Sequence, residues 1–532
     1  ESLVGMDDKV FFSSYWEQRP LWVKGDSPFV SLFSLDQLKE AVEQYNLLYS
    51  VQLNVCKCID NQKQMLEPFP KPSCLFEVDQ YFEQHGATFQ VLQPQQYTPE
   101  IAELLSDLEC YFGCLVGSNV YITPPNSKGL APHYDDVEVF IIQLEGEKKW
   151  KIHKPIDELP NVCSGDLPLE LIGEPDMEIT LTKGDVLYFP RGWIHHAETG
   201  PNELSTHITI STYQKHTYSQ LLEMALPIAL REATEKTVEL RKGLPLKVFS
   251  EGGIAYASKE TQSKIFQSIE SISKNLLNSI SNSLPIALHE ALDHLSVDFI
   301  ESRLPPNTSQ VSFLSPEIEP DGNGCFGIYP NSENLYVRLL DPSYIRLVID
   351  DGISSGDDSD PEGDSSEDDE IQSDDEMMAP FGDINDMDDE ESSDDDIPML
   401  VAAPLSDDEE SSEESIDPFD ESALPDVDPT ALVFYSTQNP IETHMGTVPK
   451  EHCLRFSIDA VAPISYLIQT YPKFVKIKDI PVSGSLVDID ELLQVIIALW
   501  SCGVLISKEE STTTILKKRK RKANSKSNQK NK

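Results

Sequence analysis

Two stretches of this chain carry residue types that could hold a redox metal. The first is Ala131-Pro-His133-Tyr-Asp135-Asp-Val-Glu-Val-Phe140, a His-x-Asp pair at the head of an apolar run. The second is Gly184-Asp-Val-Leu-Tyr-Phe-Pro190-Arg-Gly192-Trp-Ile-His195. Two histidines and one carboxylate bind a metal on one face and leave the other face open, the donor set that suits non-haem Fe(II) and dioxygen chemistry. On a strand, His133 and Asp135 point to the same side, and His195 supplies the third ligand if its strand lies alongside. His196 competes by adjacency, but on a strand it points the other way.

A His-x-Asp pair alone is common by chance. The second stretch gives it weight, because Gly184, Pro190-x-Gly192 and His195 match the second cupin motif, whose glycines and proline form a tight turn that aims the histidine into a barrel. Thr199 stands where that motif often ends in Asn. In His207-Ile-Thr209-Ile-Ser211 the polar residues share one face and the isoleucines the other. That pattern fits a pocket wall and equally a surface strand. Asn119 and Tyr121 share a face upstream of His133. Lys148 reads first as a surface lysine in the polar cluster Glu147-Lys-Lys149, and alternatively as a cation inside the barrel for a substrate carboxylate.

The elements that must position these residues are short apolar runs at 119–122, 137–144, 149–153, 178–181, 186–189 and 207–212. Turn residues such as Glu145-Gly146 and Thr182-Lys-Gly184-Asp separate them. This spacing predicts a small antiparallel barrel or jelly roll. Before it, Phe11, Tyr15, Trp16 and Trp22 predict a packed segment, Ser34-x-x-Gln37 opens a helix, and residues 101–112 form another. Residues 218 to about 304 are helical in period, with Leu221, Leu222, Ala225 and Ile228 on one face and Leu276, Leu277, Ile280 and Leu284 on another. Intramolecular packing and an oligomer interface both fit. From about Pro305, strands at 335–340, 344–349, 432–435 and 504–506 and helices at 458–470 and 489–500, the last closed by Gly503, predict a winged-helix-like end.

The net charge of -50 is localised. Residues 351–430 hold 33 Asp/Glu and no Lys or Arg, while 517–532 hold nine Lys/Arg and no acid; without these two segments the rest still carries -26. The acidic stretch is expected to be a disordered insertion in a hairpin-type connection, since each doubling of loop length costs only about 0.6 kcal/mol. An acidic body repels nucleic acid and suits a basic partner, or serves solubility alone. Nine irregularly spaced Cys predict reduced intracellular thiols. With no apolar run of membrane-spanning length and no signal-peptide pattern, a soluble protein is expected, and the start at Glu1 predicts that the native N-terminus is missing. Lys517–Lys522 reads as a nuclear localisation signal or a solvated tail, and Ser373, Ser393 and Ser406 lie in acid-directed kinase contexts.

Asn119–Phe140, Gln143–Lys148, Leu187–His195 and Ser205–Gln214 together resemble the JmjC-type ribosomal oxygenases, which include the nucleolar enzymes called bifunctional lysine-specific demethylase and histidyl-hydroxylase. The resemblance implies an α+β chain: a JmjC/cupin double-stranded β-helix over 1–217, a helical dimerisation region over 218–304, and a winged-helix-like domain over 305–515 interrupted by the insertion, then the basic tail 516–532. It implies Fe(II) on His133, Asp135 and His195, with 2-oxoglutarate and dioxygen as cosubstrates. Lys148 then takes the far carboxylate of 2-oxoglutarate, and Asn119, Thr209 and Ser211 lie near it. Trp193 departs from the family, where a smaller or different aromatic residue is usual, as does the size of the insertion.

What the resemblance implies for function is hydroxylation of a histidine in a basic ribosomal protein by a nuclear, nucleolar homodimer without membrane association. Histone lysine demethylation with the same cofactors is the alternative. A non-catalytic winged-helix binding module is the third reading. Direct DNA binding is not expected of it, because the 488–500 helix carries no Lys or Arg.

Overall fold

The computed structural model describes residues 3–25, 27–244, 246, 259–307, 325–350, 428–445, 452–482 and 489–509. The acidic stretch 351–427 and the tail 516–532, about which the sequence made expectations, lie outside the described residues, as do the three candidate phosphorylation sites.

Two facing sheets hold the chemistry. The larger runs in the order Leu21–Val23, Val186–Phe189, Glu138–Glu145, Ser205–Thr212, Val116–Thr123, Thr88–Leu92, Leu53–Ile59, Leu48–Tyr49, Lys71–Pro72. The smaller places Glu147–His153 between Met177–Thr182 and Ile194–Glu198. Ser205–Thr212 is antiparallel to both its neighbours, with Thr209 opposite Asn119 on one side and Ile141 on the other. Its two faces are both covered. Ile208 and Ile210 join Val120 and Ile122 in the main apolar core, while His207 and Thr209 face the smaller sheet. A strand covered on both sides keeps polar residues inward only where they line a cavity, which removes the surface-strand reading.

The N-terminal segment is packed as its aromatics predict. Helix Asp8–Ser14 is capped by Asp7, whose Oδ1 accepts from Lys9 N at 3.0 Å, and it sets Phe11 edge-on against Tyr188 at 4.9 Å. Trp16 stacks on Tyr188, and Leu21–Val23 becomes the edge strand beside Val186–Phe189. Ser34 caps helix Leu35–Tyr45 by accepting from Gln37 N. The strands and helix between 48 and 92 went unread in the sequence.

Helices Tyr218–Lys236 and Lys259–Ser302 pack together through Ala225, Ala229, Ala287 and Ala291, small side chains that bring the two backbones close. Leu222 and Leu277, on the helical faces that fit either intramolecular packing or an oligomer interface, are exposed. No helix among the described residues is long and apolar enough to cross a membrane.

A second core gathers around Val337, Leu339, Val433, Ile464, Leu492, Ile496 and Leu499. It contains helices Val461–Thr470 and Ile489–Ser501 and two small sheets. Gly503, at φ +73, ends the second helix in the left-handed conformation. Ile345–Asp350 and Thr430–Tyr435 pair antiparallel with Asp350 opposite Thr430, so the acidic stretch joins two adjacent strand ends. This part is tied to the first by buried polar groups. Glu109 accepts from Leu304 N at 2.9 Å and meets His444 Nε2 at 2.8 Å, and Asn439 Nδ2 donates to the carbonyls of Ile300, Glu301 and Arg303 at the end of the long helix.

Candidate metal centre

The two motifs meet at one backbone bridge. His133 N donates to His195 O at 3.3 Å, and His195 N donates to His133 O at 2.8 Å. His133 and Asp135 are not on a regular strand; the strand begins only at Glu138. Their convergence comes from this bridge and from Gly192 N, which donates to Asp135 O at 2.9 Å. Gly192 stands at φ +85, and a Cβ there would lie 2.6 Å from Pro160 Cδ and 2.8 Å from Asp157 O, so only glycine fits. Thr199 Oγ1 donates to Pro124 O at 2.6 Å and accepts from Ser127 N at 2.9 Å, pinning the loop that leads to His133.

One donor atom each from His133, Asp135 and His195 lies within 4.8 Å of the others, and no other such trio occurs among the described residues. His195 Nε2 is 3.6 Å and His133 Nε2 4.0 Å from the Asp135 carboxylate. Each imidazole gives its Nδ1–H to a backbone carbonyl, His133 to Ala131 O at 2.8 Å and His195 to Trp193 O at 3.0 Å. That fixes the tautomer and leaves both Nε2 lone pairs facing the carboxylate. Burial, and secondarily His133, push the His195 pKa down to about 4, partly offset by Asp135, so the ring is neutral and able to ligate. The donor set and its orientation fit a divalent metal of the non-haem iron type. His196 turns aside, stacked on His153 with ring centroids 5.5 Å apart.

The trio opens into a cleft between the sheets, also lined by Lys148, Trp150, His207, Thr209, Tyr121 and Thr88. Lys148 is 5 % exposed, which corrects the surface reading: the Glu147–His153 strand turns Lys148, Trp150 and Ile152 inward. Its Nζ donates to Thr123 Oγ1 at 3.0 Å, and no carboxylate among the described residues pairs with it. Burial pulls its pKa down to about 7, slightly offset by the Cys56 thiol. His207 stacks on Tyr121 at 5.0 Å; its Nδ1 and Trp150 Nε1 are buried with no hydrogen-bond partner among the described residues. Burial, then Lys148 and His195, hold the His207 pKa well below its ordinary value.

Asn119 and Ser211 lie on the same sheet face as Tyr121 and Thr209: Asn119 stands opposite Thr209, and all four side chains are half-buried. Asn119 bonds to the Tyr121 side chain, and Ser211 lies one pleat further along, against Gly117. Sequence reasoning missed Thr88 and Trp150. Trp150 could have been found by extending the 149–153 strand back to 147, which puts 148, 150 and 152 on one face.

The description "JmjC domain" matches residues 90–221, and "Ribosomal oxygenase 1, C-terminal winged helix domain" matches 426–511. Similar curated proteins share the name bifunctional lysine-specific demethylase and histidyl-hydroxylase NO66. That of Drosophila persimilis is 36% identical over 352 residues, 64% of this chain and 50% of the relative. That of Aedes aegypti is 36% identical over 350 residues, covering 64% and 54%. The chain thus spans about half the length of the curated relatives it matches. Among solved structures, the Escherichia coli ribosomal oxygenase YcfD with cobalt and succinic acid aligns over 95% of this chain and 99% of that one, at 12% identity and a TM-score of 0.40. The chain thus carries a segment similar to the JmjC domain and, on its C-terminal side, one similar to the winged helix of ribosomal oxygenase 1.

Proposed function

We propose that this chain is an Fe(II)- and 2-oxoglutarate-dependent dioxygenase that hydroxylates a histidine of a basic ribosomal protein. The observation that carries the reading is Lys148: a buried cation with no acidic partner among the described residues, in the same cleft as a two-histidine, one-carboxylate trio. A buried charge without a counter-ion is costly, so the site is built for an anion that arrives with the reaction.

His133, Asp135 and His195 would hold the iron. Bound there, it supplies hydroxylation of a C–H bond with dioxygen, 2-oxoglutarate leaving as succinate and CO2. Lys148 takes the far carboxylate, and that carboxylate restores the lysine's proton affinity, so Nζ holds its proton while the cosubstrate is bound. Thr123 orients Nζ, and Thr209 adds a hydroxyl to the pocket wall. Val139, Ile141 and Trp150 exclude water around the reacting end. Asn119 and Ser211, on the same sheet face as Thr209, stand near the cosubstrate.

The curated relatives' name also carries lysine demethylation, which needs the same cofactors and differs in releasing formaldehyde from an N-methyl group. The discriminating experiment incubates the protein with histidine-containing ribosomal peptides and methylated histone peptides, Fe(II) and 2-oxoglutarate. Gain of one oxygen on a histidine supports the proposal. Formaldehyde release without that gain favours demethylation, and neither product overturns the reading.

The proposed assembly is a homodimer through the helical pair. Tyr218, Leu222, Leu226 and Leu230 are exposed and spaced four apart, a continuous apolar stripe on helix Tyr218–Lys236. Leu226→Glu with Leu230→Glu should halve the mass seen by light scattering; an unchanged mass rejects this face. The basic run Lys517–Lys522 supports a nuclear, nucleolar site of action, and a tail-deleted fusion that stays nucleolar would contradict it. The winged helix is read as a protein-packing module.

A further inference from the structure

The strands Glu147–His153 and Met177–Thr182 pair directly, Ile152 opposite Met177, and a two-residue turn could join them. Instead residues 154–176 run 23 residues with a single four-residue helix, Leu169–Ile172. A connection of that length inside a compact domain serves a purpose other than closure.

This excursion is fastened to the metal segments. Ser164 N donates to Tyr134 O at 3.0 Å, Tyr134 N donates to Ser164 Oγ at 2.9 Å, and Leu167 N donates to Pro132 O at 2.8 Å, so it brackets His133 on both sides. Pro160 and Asp157 rest on Gly192, three residues before His195. Ordered in this way, it nevertheless turns apolar side chains to solvent: Ile156 is 60 % exposed, Val162 71 % and Leu171 61 %, with Leu169 also exposed. Burying such groups would be favourable, and nothing within the described chain does so. Between them stand exposed Asp157, Glu158 and Glu170, which form no ion pair among the described residues; the excursion's one lysine, Lys154, pairs with Asp176 at 3.3 Å.

We infer that the outer surface of residues 154–176 is the docking surface for the substrate polypeptide, and that its occupant is a basic segment carrying aliphatic side chains beside the target residue. This deepens the proposed function and rests on it. Apolar anchors give the contact its energy, and the acidic groups between them select positive charge and repel acidic chains. Attachment on both sides of His133 fixes the distance from docked peptide to metal, so the surface chooses which residue of the segment reaches the cleft.

The test uses the full chain and fluorescein-labelled 20-residue peptides tiling the histidine-containing segments of large-subunit ribosomal proteins, read by anisotropy and, in parallel, by mass. Two variants are compared with the unaltered protein: Ile156→Ser with Val162→Ser and Leu171→Ser, and Asp157→Asn with Glu158→Gln and Glu170→Gln. Each should weaken the tightest peptide by about tenfold or more, the second should also flatten the salt dependence, and 2-oxoglutarate binding should stay unchanged. Unaltered affinity in both variants, or no basic peptide bound by the unaltered protein, overturns the inference. Binding that depends on the excursion without oxygen gain rejects the hydroxylase reading alone. Oxygen gain that both variants retain at unchanged KM rejects the docking surface alone.

Discussion

Lys148→Met separates what the cleft costs from what it binds. Lys148 is 5 % exposed and burial lowers its pKa from 10.5 to about 7. A lysine whose folded pKa is depressed destabilises the fold while it is charged. The penalty is fully present below pH 7, is relieved as pH rises from about 7 towards 10.5, and corresponds to roughly 5 kcal/mol at its largest. Methionine fills a similar volume without a charge and leaves Thr123 Oγ1 its contact with Thr88 Oγ1 at 3.2 Å. The ligand-free variant should therefore melt several degrees above the unaltered protein at pH 6, and the gap should narrow by pH 9. Millimolar 2-oxoglutarate with Mn(II) should raise the melting temperature of the unaltered protein and leave the variant where it was. Thermal melts at the two pH values, with and without 2-oxoglutarate, read both effects. A variant less stable at pH 6, or one that keeps the 2-oxoglutarate shift, would refute the account of Lys148.

Glu138 is fully buried with its pKa raised to about 7 by desolvation, so the fold loses stability as pH rises from about 4.5 through 7; Glu138→Gln should gain up to about 3 kcal/mol at pH 8 and nothing at pH 4, by urea titration. A Cβ at Gly129 would lie 2.6 Å from Thr88 Oγ1, whose side chain is buried, so Gly129→Ala should cost about 1–3 kcal/mol and weaken 2-oxoglutarate in a calorimetric titration. Glu109→Ala strands His444, the Leu304 amide and fully buried Arg303, and should cost about 3–5 kcal/mol in the same urea assay while the metal site keeps its affinity.

The legible parts of this chain were those where one residue type admits one geometry. Gly184 and Gly192 both adopt positive φ, as a turn that aims His195 requires, and the alternation of His207, Thr209 and the isoleucines marked a strand, though only the fold shows that both its faces are covered. Both long helices and four strands of the winged-helix part were read within a few residues, because their apolar periods are uninterrupted, while Phe326–Gly327, Cys453–Ser457 and Val475–Lys476 went unread. Lys148 was misread by local charge: its neighbours Glu147 and Lys149 are the strand's outward face, and only the strand's true start at Glu147 shows it. The joining of His133 to Asp135 was also misassigned to a strand, since a bridge between distant segments leaves no period. The clamp of Glu109, His444 and Asn439 was beyond reading for the same reason, its members lying more than 300 residues apart for the first pair. Leu222 and Leu226 carry a helical period that does not say which partner covers it.

Histidyl hydroxylation of a ribosomal protein is the central claim, and ribosomes from cells carrying either the unaltered protein or His133→Ala test it most directly. Mass spectrometry of their large-subunit proteins should find one histidine bearing an added oxygen with the unaltered protein and lacking it with His133→Ala. Identical histidine masses in the two ribosome populations would contradict the claim.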